Sequence, residues 1–386
     1  MSSFGESEER IALRKAVAAL GAKYGHSYYL GAARSGAKTN ELWREAGALG
    51  YLGVHVPVEY GGGGGGIGDL AAVCEELATA GSPLLMMVVS PAICATVISR
   101  FGTPEQKSHW LPGLADGSRV FAFGITEPDA GSNSHKLTTT AVRDGDDWLL
   151  TGRKTYISGI DQAEAVLVVG RTEDSRTGRL KPVLFVVPTD APGFTADPIP
   201  TELVAPERQF VLFFDGVRLP ADAVVGSEDA GLMQLFAGLN PERIMASAFA
   251  LGIARYALAR AVDYAKTRSV WDTPIGAHQA IAHRLAACHI EVELARLMTQ
   301  KAAYLYDSGD DHAAGEAANM AKYAAGEATV RAVDQAIHTH GGNGLATEYG
   351  LATLLVAARL GRIAPVSREM ILNFVAQNTL GLPRSY

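Results

Sequence analysis

One run of the sequence has the residue types of a ligand-binding loop: Thr126-Glu127-Pro128-Asp129-Ala130-Gly131-Ser132. Pro128 and Gly131 favour a turn, and the amide and hydroxyl groups that a turn exposes can hydrogen-bond a flat, partly anionic cofactor. The same residues are also compatible with an ordinary polar turn that enters a sheet. The run therefore indicates a candidate site and leaves its ligand open.

A second candidate is the glycine-rich stretch Gly61–Gly66 with Gly68, which matches the dinucleotide-binding fingerprint. That fingerprint also needs a preceding strand and an acidic residue about 20 positions further on to hold a ribose. The corresponding region, Ser82 to Pro91, contains no acidic residue. We therefore predict a mobile glycine loop here and no nucleotide site.

The histidines do not indicate a metal site, because two histidines on one helical face need a spacing of four residues. The spacings within their two clusters are five, six and two. No Gly-x-Ser-x-Gly sequence occurs, which argues against a serine hydrolase with a nucleophile elbow. We predict no metal, and structural roles for the clustered histidines: His278, His283, His289, His338 and His340.

Three zones of the chain must position these residues, and the first is helical. Apolar residues recur at spacings of three and four in Arg10–Leu20, Thr39–Leu49 and Asp69–Ala80. Asp69 is predicted to cap the third helix, and Thr103 is predicted to cap a further helix that follows it.

The second zone changes to short β-rich segments separated by Asp-Gly, Thr-Gly and Pro-Gly turns. Strands are predicted at Ala165–Arg171, Val183–Val187 and Phe210–Phe214, with a hairpin turn at Arg143–Trp148.

The third zone returns to long helical patterns, at Pro241–Lys266, Ala277–Asp307 and Ala313–His340. Long helices with short connections predict an antiparallel bundle. Helices, a sheet and a bundle in this order indicate an α+β fold and argue against a doubly wound parallel sheet. We predict an N-terminal helical domain at 1–120, a middle β-barrel-like domain at 121–228 and a C-terminal four-helix-bundle domain at 229–386.

The composition of the 386 residues narrows the class of protein further. Hydrophobic residues make up 48% and charged residues 19%, which supports a large core and excludes general disorder. A net charge of −7 argues against nucleic acid as a partner. Three dispersed cysteines and the absence of a basic–apolar leader predict a cytoplasmic protein, and the longest apolar run, Pro83 to Pro91, predicts no membrane span.

With its flanks, the Thr126–Ser132 run resembles the flavin loop of the acyl-CoA dehydrogenase family, and ordered matches extend over nearly the whole chain. The order of helical, β and helical zones is also the family's architecture. In Lys154–Gly159 a tyrosine stands where tryptophan is usual. The matching segments are Pro57–Gly62, Phe123–Ser132, Lys154–Gly159, Arg268 with Trp271 and His278-Gln279, and Gly341–Gly344.

The resemblance implies FAD, held between the middle domain and the C-terminal helices. One group of flavin contacts is implied at Phe123, Ile125, Thr126, Gly131, Ser132, Tyr156, Ile157 and Ser158, with Ser367 and Glu369 near the C-terminus. Further cofactor residues are implied at Trp271, Ile275, His278 and His338, while Arg268, Gln279, Gly341 and Gly342 would reach the FAD of a neighbouring subunit. A shared cofactor implies an oligomer, and in this family usually a homotetramer.

The catalytic base departs from the commonest family pattern. Many members carry a glutamate in a Tyr-Glu-Gly-Thr stretch, which an ungapped count from Gly341-Gly342 places at Ala364-Pro365-Val366-Ser367, where no carboxylate stands. Members similar to isovaleryl-CoA and long-chain enzymes use a Glu-Arg pair on the long helix, here Glu242-Arg243. Asn240 is predicted to cap this helix and Pro241 to open its first turn.

The activity implied is FAD-dependent α,β-dehydrogenation of an acyl-CoA thioester to a trans-2-enoyl-CoA. Glu242 would remove the α-proton, a hydride would pass to FAD, and Ser132, Asn240 and Arg243 would contact the substrate. An electron-transfer flavoprotein is the implied acceptor. In this register Pro365 has no N–H for the enolate oxygen, so either another group is the donor or the register of the resemblance shifts by one residue. Two alternatives stay open: a non-catalytic or partner-dependent subunit, and a flavin oxidase or monooxygenase on the same fold.

Overall fold

The computed structural model describes residues 6–174, 177–228 and 231–384, and for 231–237 it describes the backbone alone. The predicted boundary between the middle and C-terminal domains adjoins residues 229–230, which lie outside the described residues, as do the first five and last two residues of the chain. Helices and strands are segregated along the chain as predicted, so the α+β class is confirmed.

The N-terminal part is helical, and each helix predicted there is present. Thr103 caps its helix as predicted: its hydroxyl accepts from the Gln106 amide at 3.2 Å, and the Gln106 side chain accepts from the Thr103 amide at 3.0 Å. Asp69 is not a cap, because it lies in the first turn and accepts from the Gly66 amide at 2.9 Å. The helices are α1 (Glu8–Ser35), α2 (Asn40–Ala48), α3 (Ile67–Thr79), α4 (Thr96–Phe101) and α5 (Pro104–Asp116), with a π-helix at Val88–Ala95.

Most glycines of this stretch are exposed, but their amides donate to carbonyls of residues 53–58, so the loop predicted to be mobile has a hydrogen-bonded backbone. A Cβ at Gly62 would lie 2.1 Å from the Val56 carbonyl oxygen, and the Gly65 amide donates to the Val54 carbonyl at 2.8 Å. The Asp307 carboxylate accepts from the Ile67 and Gly68 amides at 2.7 and 2.9 Å. A pyrophosphate would need these same amides at the start of α3, which agrees with the expectation of no nucleotide there.

The middle part is a curled sheet whose strands run in the order β1-β4-β2-β3-β7-β6, with β5 paired to β4. Asp144 pairs with Asp147 across a turn in which Gly145 has φ 66°, so the predicted hairpin is confirmed. The strands are β1 (Phe121–Gly124), β2 (Thr140–Asp144), β3 (Asp147–Ser158), β4 (Ala165–Glu173), β5 (Leu180–Pro188), β6 (Phe194–Ile199) and β7 (Gln209–Leu219).

The C-terminal part is a bundle of long helices with alanine-rich contacts. The contact between α8 and α9 is close, since a Cβ at Gly326 would lie 2.5 Å from the Gly361 carbonyl oxygen. The helices are α6 (Gly231–Thr267), α7 (Gln279–Asp307), α8 (Asp311–His340), α9 (Leu354–Ile363) and α10 (Arg368–Phe374), with the short strands β8 (Ser269–Val270) and β9 (Thr273–Pro274) between α6 and α7.

The start of α6 corrects the prediction that Asn240 caps this helix. The helix begins ten residues earlier, at Gly231, and Pro241 lies inside it. Proline removes one helical hydrogen bond, but the residues on both sides keep the helical conformation. Glu242 is therefore a mid-helix residue, and the helix dipole does not explain its position.

By length and composition alone, the part of α6 from Gly238 to Thr267 could cross a membrane. Most of that segment is buried inside the protein. Burial against the other helices and the sheet accounts for its apolar character, because a helix that is apolar on most sides is typical of a core helix.

Candidate active site

The fold brings the two predicted flavin segments of the middle domain together. The Thr155 amide donates to the Thr126 carbonyl at 2.9 Å, and the Lys154 ammonium donates to the Ile125 carbonyl at 3.1 Å. The loop after β1 and the end of β3 therefore form one surface. Glu127 and Ala130 close the turn of this loop with paired backbone hydrogen bonds.

A buried ion pair under this surface holds the loop in place. Glu127 is 3% exposed and pairs with Lys154 at 2.7 Å. Its carboxylate also accepts from the Thr138 amide at 2.6 Å, the Thr138 hydroxyl at 2.7 Å and the Thr139 amide at 3.0 Å. Burial alone would raise the pKa of Glu127, but these hydrogen bonds and the Lys154 charge outweigh burial and lower the pKa to about 2.

Tyr156 marks where the surface opens to solvent. Its side chain is 63% exposed, and its φ of 56° is unusual for a residue other than glycine. It lies in a break of strand register between Lys154 and Ile157, and such bulges redirect side chains near functional sites. Ile157 is buried, and the Ser158 hydroxyl donates to the Gln209 side chain at 3.0 Å.

The other predicted flavin residues of this domain suit a flat cofactor with hydrogen-bonding edges. Phe123 is buried, Ile125 and Thr126 are half-buried, and Gly131 and Ser132 are exposed. A Cβ at Gly131 would meet no atom within 4 Å. This part of the chain therefore offers an apolar floor beside exposed hydroxyl and amide groups, and the donor set fits an isoalloxazine ring.

Glu242 has the surroundings of a reactive carboxylate. It is half-buried, and within the described parts of the chain no hydrogen bond to its carboxylate is present. Burial raises its pKa to about 7, against the opposing charges of Arg243 and Lys322. Arg243 does not pair with it, because the guanidinium donates backwards to the Leu239 carbonyl at 3.2 Å and the Asn240 side chain at 3.5 Å.

The turn of α6 that carries Glu242 packs near the flavin segments. Leu239, one turn before it, contacts the hydrophobic cluster that contains Phe123 and Ile125. The buried thiol of Cys94, on the π-helix, lies 3.5 Å from the Ala122 carbonyl oxygen of β1, and the charge of Glu242 contributes to the raised pKa of that thiol. The π-helix therefore lies between Glu242 and β1.

The segment at 364–367 supplies no base. Ala364 donates its amide to the Leu360 carbonyl at 2.9 Å, and Pro365 has no N–H. The Ser367 hydroxyl caps α10 by accepting from the Met370 amide at 3.3 Å, and Glu369 is exposed and pairs with Arg368 at 2.8 Å. The buried Lys322 donates to the Val366 carbonyl. Lys322 was not predicted from the sequence, where a lysine in an alanine-rich helix is typical of an exposed position.

The remaining predicted cofactor residues gather at the opposite end of α6. With a rise of 1.5 Å per residue, roughly 38 Å separates Glu242 from the end of this helix. Trp271 is 83% exposed and packs edge-on against His278 at 6.0 Å, while Ile275 is buried. The other members of this group are exposed: Arg268, Gln279, His338, Gly341 and Gly342.

Two groups of predicted cofactor residues thus lie too far apart to hold one isoalloxazine ring. The group near Glu242 offers the apolar floor and hydroxyl groups described above. The distant group offers a guanidinium, an amide side chain and two glycines with open space around them, which suit a phosphate-containing ligand. These residue assignments stay predictions.

The three parts of the chain match the three domains of a known enzyme family. Sequence models of the acyl-CoA dehydrogenase N-terminal, middle and C-terminal domains match residues 7–118, 122–216 and 229–380. The chain therefore belongs to the acyl-CoA dehydrogenase family, as its sequence motifs predicted, and is an enzyme of that class.

Individual relatives support the same conclusion. The chain is 69% identical to the acyl-CoA dehydrogenase FadE12 of Mycobacterium tuberculosis, over 100% of this chain and 99% of the relative. A glutaryl-CoA dehydrogenase of Mycobacterium smegmatis in complex with FADH2 has 29% identity and a TM-score of 0.90, over 98% of this chain and 96% of that one. The cofactor is therefore FAD.

A third similar chain comes from structural work on the electron transferring flavoprotein of Acidaminococcus fermentans. It has 28% identity and a TM-score of 0.92, and the match covers 98% of this chain and 100% of that one. All three matches cover at least 96% of each chain, so the similarity extends over all three domains.

Proposed function

We propose that this enzyme converts an acyl-CoA thioester into a trans-2-enoyl-CoA and that Glu242 is the base that removes the α-proton. One observation carries the assignment. Glu242 is a half-buried carboxylate beside the flavin surface, without a hydrogen bond among the described residues and with a pKa raised to about 7. General bases work best when their pKa lies near the working pH, and 364–367 contains no carboxylate that could compete.

FAD, when bound, supplies the hydride acceptor. Its ring would be held by Phe123, Ile125, Thr126, Gly131 and Ser132 on the loop after β1, with Tyr156, Ile157 and Ser158 at the end of β3. Ser367 and Glu369 would lie near the ring from the C-terminal side. Glu127 and Lys154, both buried, support this surface from below.

The substrate contacts are proposed at Ser132, Asn240 and Arg243. Asn240 and Arg243 hydrogen-bond each other, and Asn240 also donates to the Asp311 carbonyl at 3.1 Å. This pair fixes the turn that precedes Glu242. Its role would be to orient the thioester and the base, since Arg243 does not neutralise Glu242 through a direct ion pair.

The test is an anaerobic titration of the wild type and of Glu242→Gln with a panel of acyl-CoA thioesters. The flavin absorbance is measured throughout the titration. Reduction of the wild-type flavin by one chain class, and a rate at least about 10²-fold lower in the variant, are expected, with FAD retained in both. Glu105→Gln, an exposed glutamate on α5, is the matched control. Equal reduction rates in wild type and Glu242→Gln would remove Glu242 from the mechanism.

We further propose a homotetramer, in which the distant group (Arg268, Trp271, Ile275, His278, Gln279, His338, Gly341 and Gly342) completes the FAD site of a neighbouring subunit. Exposed apolar side chains form a stripe along α7, at Ile290, Leu294, Leu297 and Tyr304, with exposures of 44–69%. Such a stripe indicates an interface. Leu294→Glu should shift the mass measured by light scattering toward smaller species and weaken FAD retention. Unchanged mass would contradict this interface.

An electron-transfer flavoprotein is proposed as the acceptor, and the cytoplasm as the compartment, in keeping with three buried, unpaired cysteines. Rapid reoxidation of the reduced flavin by such a flavoprotein, and slow reoxidation by oxygen, are expected. Fast reaction with oxygen would favour a flavin oxidase or monooxygenase. Full activity of the purified homo-oligomer would exclude a partner-dependent subunit.

A further inference from the structure

Glu207 is a buried carboxylate that the reaction proposed above does not use. It lies in the middle domain, in the loop between β6 and β7, with 4% exposure. Burial raises its pKa to about 7, against the backbone hydrogen bonds that it accepts and the charge of Lys38. Burying an acidic group is unfavourable unless it has hydrogen-bond partners, so the contacts of Glu207 indicate what it does.

The hydrogen-bond partner of Glu207 belongs to the N-terminal domain. Its Oε1 accepts from the Leu85 amide at 3.1 Å. Leu85 precedes the buried Met86, which packs on Gly159, since a Cβ at Gly159 would lie 2.5 Å from the Met86 Sδ. Gly159 is the last residue of the predicted flavin segment Lys154–Gly159. Glu207 is therefore bonded to the stretch of the N-terminal domain on which the end of this segment packs.

The two residues after Glu207 contact the end of the flavin segment directly. The Arg208 carbonyl accepts from the Gly159 amide at 2.9 Å. The Gln209 side chain accepts from the Ser158 hydroxyl at 3.0 Å, and Ser158 and Gln209 are also paired across β3 and β7. Ser158 and Gly159 are thus held by the residues that directly follow Glu207.

These contacts form a closed ring across the boundary between the N-terminal and middle domains. Two links are hydrogen bonds, one is the packing of a thioether on a glycine, and two are peptide bonds. Each member is therefore held from two sides, and loss of one hydrogen bond loosens the whole ring. Its members, in order, are Glu207, Leu85, Met86, Gly159 and Arg208.

Lys38 crosses the same domain boundary. Its ammonium pairs with Asp161 at 2.5 Å and donates to the Pro206 carbonyl at 3.3 Å. Asp161 follows the flavin segment in sequence and also pairs with Arg208 at 2.6 Å. Lys38 and the ring therefore attach the same short segment, residues 206–209, to the N-terminal domain.

We propose that Glu207 is a positioning residue for FAD: its bond to the Leu85 amide holds the 206–209 segment against the N-terminal domain, and that segment holds Ser158 and Gly159 at the edge of the flavin surface. The inference rests on the proposed role of Ser158 as a flavin contact. A residue with a merely structural role would change stability and leave the surroundings of the bound flavin unchanged.

The test compares Glu207→Met, which removes the acceptor for the Leu85 amide, with Glu207→Gln, which keeps an acceptor at the same place. Release of FAD from the holoenzyme is measured by flavin fluorescence after dilution, and visible circular dichroism reports the surroundings of the bound ring. Glu207→Met should release FAD about tenfold faster and change the visible spectrum, whereas Glu207→Gln should match wild type. Glu202→Met, at an exposed glutamate of the same loop, is the matched control.

A second readout does not depend on the flavin contact. Hydrogen exchange of the Gly159 amide, measured by mass spectrometry on overlapping peptides, should be about tenfold faster in Glu207→Met than in wild type and unchanged in Glu207→Gln. Exchange at the wild-type rate in Glu207→Met would overturn the inference, even with a lower melting temperature. An unchanged flavin spectrum in Glu207→Met, where Ser158→Ala changes that spectrum, would also overturn it.

The failure of the proposed flavin contact is distinguishable from the failure of this inference. If Ser158→Ala leaves the flavin spectrum unchanged, the proposed contact is wrong, while the exchange rate of the Gly159 amide still decides whether Glu207 holds the segment. If Glu207→Met does not fold, Glu207→Asp carries the test, because a side chain one methylene shorter withdraws the carboxylate from Leu85. The same faster exchange is then expected.

Discussion

Glu127 with Lys154 in the middle domain, and Glu242 with Lys322 in the C-terminal domain, are built from the same residue types. In both, burial acts against the charged forms. Glu127 accepts four hydrogen bonds, which lower its pKa to about 2. Glu242 accepts none within the described residues, and its pKa rises to about 7. Burial raises the pKa of both groups, and the hydrogen bonds that Glu127 accepts, first among them the one from Lys154, separate the two carboxylates.

The difference shows how one fold uses the same chemistry for support and for catalysis. A carboxylate whose lone pairs are all occupied is fixed in position and in charge, and it cannot take a proton at neutral pH. A buried carboxylate without hydrogen-bond donors keeps its affinity for a proton. Its ionised form lowers the stability of the folded protein. A carboxylate of the first kind, such as Glu127, is suited to supporting a cofactor-binding surface. A carboxylate of the second kind, such as Glu242, is suited to accepting a proton as a general base.

The largest expected effect on stability comes from breaking the ion pair between Glu127 and Lys154. Glu127→Gln leaves the Lys154 ammonium buried without its counter-charge, and breaking such a pair costs about 3–5 kcal/mol. Because Lys154 also donates to the Ile125 carbonyl, the loop should lose its position and FAD should dissociate more readily. Urea unfolding at pH 7 and the ratio of flavin to protein after gel filtration measure the two effects.

The double variant Glu127→Gln/Lys154→Met serves as the control for that prediction. It removes both charges, so it should recover part of the lost stability, with a coupling energy of more than about 1 kcal/mol. Additive losses would mean that the two side chains act independently, and the description of Glu127 as a supported carboxylate would then be wrong.

Glu242→Gln should change stability in the opposite direction. The pKa of Glu242 is raised from 4.5 to about 7 in the folded protein, so the folded state binds more protons and stability falls as pH rises between these values. Above pH 7 the penalty reaches up to about 3 kcal/mol. The variant should therefore melt higher than wild type at pH 8 and match it near pH 4.5.

Glu127 gives the reverse pH dependence. Its pKa is lowered from 4.5 to about 2, so its contribution is present above pH 4.5 and is lost as pH falls toward 2. The destabilisation by Glu127→Gln should accordingly shrink in acid. Melting curves of wild type and both variants at pH 3.5, 5.5 and 8, in one buffer system, compare the two carboxylates directly. Parallel pH profiles would contradict the comparison.

Much of the fold and of the flavin surface could be predicted from the sequence, because these features depend on local patterns. The Thr126–Ser132 run was found by its residue types and the Lys154–Gly159 segment by its resemblance to the family, and the structure places them side by side. The ion pair joins residues 27 positions apart, and no local pattern indicates that Glu127 and Lys154 point at each other. The apolar periodicity also predicted the long helices well.

Two features were not predicted from the sequence, because the local sequence signal favoured a different structure from the one that tertiary packing produces. Pro241 after Asn240 is typical of a helix start, yet α6 begins at Gly231 and continues through the proline. Lys322 was missed because lysines are mostly exposed. Its bond to the Val366 carbonyl joins residues 44 positions apart, and no local pattern indicates such a contact.

The smallest expected effect on stability comes from removing one hydrogen bond to Glu127. It tests whether all of the donors, and not one alone, stabilise the ionised carboxylate. Thr138→Val keeps the shape of the side chain and removes only the hydroxyl bond to Glu127 at 2.7 Å, which should cost about 1 kcal/mol at pH 7. The two amide bonds and Lys154 remain, so the carboxylate should stay ionised and FAD should stay bound. In a Glu127→Gln background the same substitution should cost less, since a neutral acceptor gains less from each donor. A loss of stability as large as that caused by Glu127→Gln itself would contradict this. It would show that a single hydroxyl, and not the full set of donors, is responsible for the low pKa that distinguishes Glu127 from Glu242.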